Sequence, residues 1–376
     1  MLNFFRTYLN LEQTNHWLPL IYLFTFPLIF DMMPKNTIYI NGRQEKRWFL
    51  SMAMLVALPY ILWAGFRYNL GDTGAYIFNF NAAPSSLSML RLILSNESKD
   101  PGFTILMTLC KHLGLVNYWE FFLVIAFVQM LCIVFIFQKY SSNYWISLFL
   151  FIASTDYMSW MHNGMRQFLA VCLIFAAFDL LVKKRYILFG LVVVFASTMH
   201  GSALLMIPLA YIMQGQAFNK KTLMCITGTI LILPFIDRLL PLMDSMLADT
   251  QYSDMMTNDI WANDDGTNPI RVLVYSVPTI IALFGRRYIQ HADDPVMNMC
   301  ANASVITTSL YIISAVTSGI YIGRLPIYTT LHGYILLPWL IDQIFEKSSV
   351  ALVRLMMIGL YILFFYYQMH FTWNFI

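Results

Sequence analysis

What most constrains this chain is the recurrence of long, uninterrupted apolar runs. They lie at about 17–33, 48–66, 120–138, 144–160, 165–182, 186–200, 202–213, 222–240, 270–286, 297–317, 326–345 and 350–368. A run of roughly 20 apolar residues makes a helix long enough for the ~30 Å hydrocarbon core of a bilayer. Charged residues are only 11% of the chain and hydrophobic ones 59%, where soluble domains carry about 25% charged residues. The runs are continuous rather than alternating, which excludes a membrane β-barrel. The pattern predicts an all-α polytopic membrane protein of about twelve transmembrane helices, folded as a single integral membrane domain over residues 1–376. The least regular pair is 186–200 and 202–213: its second half is short and contains Pro208. It reads as one crossing with a re-entrant piece, or as two kinked helices. Residues 1–16 are polar and no small-residue cleavage site comes after them, so no cleavable signal peptide is expected.

Basic residues orient the helices. With twelve alternating segments, one face receives Lys35, Arg43, Lys46, Arg47, Lys139, Lys183, Lys184, Arg185, Lys220, Lys221, Arg286, Arg287, Lys347 and Arg354. These come as tight clusters in short loops, the signature of a cytoplasmic face. Both termini then lie outside, together with two loops longer than a hairpin needs, 67–119 and 241–269. The first contains "LSMLRLILSN" and "GFTILMTLCKHLGLV", amphipathic at helical spacing, which predicts short interfacial or re-entrant helices on the outer face. The second holds Asp244, Asp249, Asp254, Asp259, Asp264 and Asp265 with no basic residue, and reads as a cover over a basic site. Its acids do not alternate as in a calcium loop.

The outer basic residues are the first lead to function. Seven of the nine are arginines, and Arg67, Arg166, Arg271 and Arg324 each stand alone at a helix end. The guanidinium fork binds phosphate oxygens in bidentate fashion and keeps its charge when partly desolvated. Four such residues predict one outward-facing cavity for an anionic, phosphate-bearing ligand; pairing with private acids is the plainer alternative, Asp156 being the acid nearest Arg166 in the topology. Asp72 comes after Arg67 across a glycine turn. It is a candidate base for a sugar hydroxyl, with helix capping as its competitor. His200, between two apolar runs, is a second titratable candidate, and His162 and His112 are weaker ones. The five cysteines are scattered through apolar stretches without metal or redox spacing. No metal cluster, phosphate-cradling glycine loop or Ser-His-Asp set is visible, so no metal, no cofactor and no nucleic-acid partner are expected.

Four stretches carry a resemblance. "FRYNLGDTGAY", "PGFTILMTLCKHLG", "NGMRQFLAVCLIFAAFDLLVKKRYILFGLVVVFASTMHGSALLMIPLAY" and "GIYIGRLPIYTTLHGYILLP" together resemble the EpsG family. Its members belong to bacterial exopolysaccharide and O-antigen systems, many as Wzy-type polymerases. Gly71 and Asp72 adjoin here, where the family often has a residue between them. The resemblance implies a GT-C-like helical bundle in the bacterial inner (plasma) membrane with its site facing the periplasm or exterior. It points to Arg67, Asp72, Tyr76, Asn163, Arg166, Gln167, His200 and Arg324. The implied reaction joins lipid-linked glycan repeat units carried on undecaprenyl pyrophosphate, which is donor and acceptor carrier alike. Arg67, Arg166, Arg271 and Arg324 would bind pyrophosphate, Asp72 or His200 would be the base, and Tyr76, Asn163 and Gln167 would position substrate. A chain-length regulator is a partner such a polymerase admits. A lipid-linked glycan ligase and a non-enzymatic flippase of lipid-linked oligosaccharide are the alternatives.

Overall fold

The structure, a computed structural model, describes residues 17–30, 35–40, 43–68, 70–89, 100–235 and 266–374. The chain forms two compact units: Met1–Leu204 with Lys347–Ile376, and Leu205–Glu346. Arg6, Arg91, Lys99, Arg238 and nearly all of the expected acidic cover, 241–265, lie outside the described residues.

In the first unit, α1 (Leu18–Phe30) leads through a hairpin, β1 (Lys35–Ile40) and β2 (Arg43–Trp48), into α2 (Leu50–Gly65). The hairpin departs from the all-α expectation. Its register pairs Ile40 with Arg43 and Lys35 with Trp48, antiparallel. The sequence between the strands is Asn-Gly, the dipeptide that two-residue hairpin turns favour because it tolerates positive φ. Arg47 Nη1 ties the second strand to the Ser142 carbonyl at 3.2 Å.

Two short helices come next, α3 (Thr73–Ala82) and α4 (Pro101–His112), of which α4 coincides with the amphipathic stretch "GFTILMTLCKHLGLV". Of "LSMLRLILSN" only a 3-10 turn, Leu87–Met89, is described. The chain continues through α5 (Tyr118–Tyr140), α6 (Tyr144–Ala153), a π-helical turn (Tyr157–Asn163), α7 (Met165–Ala176) with its short continuation α8 (Phe178–Val182), and α9 (Tyr186–Met199). α5 packs on α2 on one side and on α7 on the other, and α7 in turn packs on α9. Phe121, Phe122, Phe137, Phe151, Phe168 and Phe175 are fully buried, and Phe151 stacks on Phe168 at 5.9 Å. The C-terminal helix (Lys347–Tyr367) completes this unit, with Phe365 against Trp17.

The second unit contains α10 (Met206–Met213), α11 (Lys220–Ile232), α12 (Pro269–Phe284), α13 (Arg286–Ala292), α14 (Pro295–Ala315) and α15 (Ile327–Ile344). α14 is its axis, touching α11, α12 and α15. The buried Asn302 fixes the α10–α11 connection with every group satisfied. Its Nδ2 donates to the carbonyls of Met213 and Gln216, and its Oδ1 accepts from Phe218 N–H and Thr222 Oγ1.

Every predicted apolar run coincides with a helix, but among the described residues fewer pass as spans. Tyr118–Tyr140, Met165–Val182, Pro295–Ala315 and Lys347–Thr372 pass by length and composition; the pair Pro269–Phe284 and Arg286–Ala292, bent by 67°, makes five if it is one span. Leu50–Gly65, Tyr144–Ala153, Tyr186–Met199 and Gly201–Met213 are apolar but shorter. The protein is therefore a multi-pass membrane protein. The shortening has local causes. Thr155 takes φ 67° just after α6, and His200 takes an extended conformation (φ −159°, ψ 120°) that ends α9, so 186–213 is two helices.

One close approach in the first unit seats α4 against α9. A Cβ at Gly102, on the first turn of α4, would collide with the Thr198 side chain near the end of α9. Only glycine lets the two elements meet here. Gly102→Val is expected to push α4 off α9 and destabilise the protein by about 1–3 kcal/mol. A lowered melting midpoint in detergent against an unchanged Gly190→Ala control, where the added Cβ meets open space, checks this.

Candidate functional site

The site grows from the break between α6 and α7. The π-helical turn delivers His162 and Asn163 to the head of α7, and Gly164 stands at its N-cap. A π-helical segment inserts an extra residue into the ladder and often marks a functional position. Gln129 on α5 fixes the start of α7 by donating from Nε2 to the Met165 carbonyl at 3.0 Å.

Four separate segments attach to this head. Arg67, just past α2, donates from Nη1 to the Ala64 carbonyl (2.7 Å) and from Nη2 to Met165 Sδ (3.0 Å). The Phe122 ring lies under its guanidinium at 4.1 Å. The turn after it is hung on Asn163, whose Oδ1 accepts the Asp72 N–H at 2.9 Å. Gly71 makes that turn with φ 53°, and a Cβ there would stand 2.5 Å from Asn163 Oδ1. From α3, Tyr76 Oη accepts the Arg166 N–H at 3.4 Å. From the start of α4, Asp100 Oδ2 pairs with Arg166 Nη1 at 2.7 Å. The carboxylate that Arg166 meets is thus Asp100, brought in from 66 residues away, rather than Asp156 on the preceding helix.

The two arginines differ electrically. The Arg166 side chain is 38% exposed and neutralised by Asp100, which is buried. Arg67 is only 4% exposed and, among the described residues, no carboxylate lies within ion-pair distance of it. Desolvation lowers its pKa to about 10, so it remains a cation at neutral pH. His162 adds no charge: burial first, then Arg67, push it down to about 3. The Tyr76 hydroxyl is raised by burial, drawn back by Arg166 and Arg67 and pushed up by Asp72, which places it within the field of all three. The Asp72 carboxylate is exposed and makes no cap hydrogen bond to α3, so capping does not occupy it. Among the described residues, Arg67 Nε, Arg166 Nε and His162 Nε2 are buried and find no hydrogen-bond partner. The cluster is a wall of cationic donors with an exposed carboxylate beside it.

The remaining sequence candidates fall elsewhere. His200 is the C-cap of α9, its N–H donating to the Ala196 carbonyl, and its Nδ1 lies 2.7 Å from Ser202 Oγ, two residues beyond the Thr198 contact that seats α4. Gln167 is buried within α7. Arg271 and Arg324 belong to the second unit. Arg271 lies over the Tyr275 ring at 5.6 Å on the first turns of α12, and Arg324 is exposed at the end of the turn Ile322–Arg324. The start of α12 is joined to the end of α14, just before that turn, by Thr267 N–H on the Ser314 carbonyl (3.0 Å) and by their hydroxyls (2.8 Å). Sequence reasoning misses Asp100. Its one signal is local: an acid directly before Pro101, the pattern of a helix start, which says nothing of Arg166.

A helical membrane protein with a cationic, carboxylate-flanked cluster at the head of one span is the class these features define. The family model of the EpsG family matches residues 50–374, and the chain belongs to that family, whose members are Wzy-like polysaccharide polymerases. No curated protein and no solved structure matches the chain.

A buried cation with no counter-charge costs stability because its desolvation is not repaid, and an apolar side chain of similar volume removes that cost. Arg67→Met is therefore expected to raise the melting midpoint in detergent while abolishing glycan assembly in cells. A protein that melts lower would show that Arg67 holds the fold together.

Proposed function

We propose that this protein joins lipid-linked glycan repeat units, carried on undecaprenyl pyrophosphate, at the outer face of the bacterial inner membrane. The observation that carries this reading is the buried Arg67 cation, with no carboxylate at ion-pair distance among the described residues, beside Arg166 at the head of α7. Such a pair suits a pyrophosphate. Charge on the bridging oxygen grows as the sugar departs, and preorganised donors stabilise that charge more than they stabilise the bound substrate.

In this mechanism a hydroxyl of the acceptor repeat unit attacks C1 of the donor's reducing-end sugar. The new C1–O bond forms as the C1–O bond to undecaprenyl pyrophosphate breaks. Arg67 and Arg166 hold the departing pyrophosphate, and the helix dipole of α7 adds to them. The hydroxyl proton passes to a carboxylate or imidazole. Asp72, exposed on the turn that Asn163 anchors, suits this role, and His200 is the second choice. Tyr76, Asn163 and Gln167 position the substrate and its binding groups, and Arg271 and Arg324, both in the second unit, are kept as pyrophosphate-binding candidates. The leaving group arrives activated, so neither a metal ion nor a nucleotide sugar enters the mechanism.

Arg166→Lys keeps a cation for Asp100 but loses the planar fork. It is expected to lower polymer in cells by about 10²-fold at normal protein level. The readout is surface-glycan length in a deletion strain carrying each variant. Single-repeat capping in the deletion strain supports polymerisation. Complete glycan stranded on carrier lipid would instead identify a ligase, and repeat units trapped inside would identify a flippase.

A further inference from the structure

The pairing of Arg166 has a direction. Its bond to Asp100 Oδ2 is made through Nη1 alone, at 2.7 Å. Nε of the same guanidinium is buried and has no hydrogen-bond partner. An arginine held at Nη1 still offers the edge formed by Nε and Nη2, whose two parallel N–H groups match the spacing of two phosphate oxygens. The carboxylate belongs to a residue that is 5% exposed, whereas the Arg166 side chain is 38% exposed. The anchor is covered, and the Arg166 side chain is partly exposed while its Nε is covered. Asp100 is itself fixed, since α4 begins at Pro101 and Gly102 is seated against Thr198 of α9.

We infer that Asp100 is a positioning residue: it clamps Nη1 so that Arg166 presents its Nε–Nη2 edge to the pyrophosphate of the lipid-linked substrate. This rests on the polymerase reading and names how its anion site is aimed. Simple electrostatics predicts the opposite effect, so the two can be told apart. A negative charge beside an anion site repels the ligand, and removing it should tighten binding if charge alone matters. If orientation matters more, removing it loosens binding, because the guanidinium must then be ordered at the expense of its rotamer freedom. Asp100 makes no side-chain cap hydrogen bond to α4, so its replacement does not unseat that helix by loss of a cap.

The test is titration of undecaprenyl pyrophosphate against the purified full-length protein in detergent, with melting midpoints recorded on the same samples. Asp100→Asn keeps the shape and one acceptor, and is expected to bind about threefold more weakly. Asp100→Ala removes the clamp and is expected to bind about tenfold more weakly, ~1.4 kcal/mol. Equal or tighter binding by Asp100→Asn at an unchanged melting midpoint overturns the positioning role and leaves the polymerase reading standing. If Asp100→Ala fails to fold, the Asn variant alone decides. Absence of binding by the unaltered protein overturns both.

Discussion

The candidate site depends on one interruption, the break that stops α6 at Ala153 and restarts the helix at Met165. A continuous helix here would bury its polar residues against lipid or core, where unsatisfied backbone and side-chain groups are costly. The break instead turns His162, Asn163 and Arg166 toward other segments. Asn163 receives the Asp72 turn, Met165 and Arg166 receive Arg67, Tyr76 and Asp100, and Gln129 holds the Met165 carbonyl from behind. Each contact is modest alone. Together they fix one geometry, because several segments converge on a single helix start.

The physics of the cluster favours function over stability. Arg67 sits on an aromatic face and a thioether, partners that stabilise a cation without neutralising it. Arg166 is compensated by Asp100 and His162 is held neutral, so among the described residues the uncompensated positive charge of the cluster resides on Arg67. A bound anion would supply the missing counter-charge and acceptors for the orphaned Nε groups. On the proposed reading, the anion would bind partly by relieving the desolvation cost of that buried charge.

Much of this is legible in the sequence, for reasons tied to particular residues. Continuous apolar runs mark most of the helices, α3, α4 and α13 lying outside them, and the isolation of Arg67 and Arg166 in a chain poor in charge marks the candidate site. Asn163 and the Gly71–Asp72 turn are readable because each lies within a few residues of one of those arginines. The parts that are not legible depend on long-range packing. Asp100 meets Arg166 across 66 residues, from the start of a helix that Gly102 lets approach Thr198, a contact between distant positions in the chain. Helix lengths are overestimated where a run of apolar residues conceals a change of conformation, as at Thr155 and His200. The hairpin is announced by Asn-Gly and hidden by its basic flanks, which read first as a cytoplasmic loop.

Arg67 and Arg166 make one site only if a single anion answers both. The most direct measurement is an experimental structure of the protein in a lipid nanodisc with undecaprenyl pyrophosphate bound. The expected result is a phosphate group within hydrogen-bond distance of Arg67 Nε and of the Nε–Nη2 edge of Arg166, with the Arg166–Asp100 pair intact. A pyrophosphate bound elsewhere, with Arg67 still enclosed by Ala64, Phe122 and Met165 and touching no ligand atom, would contradict it.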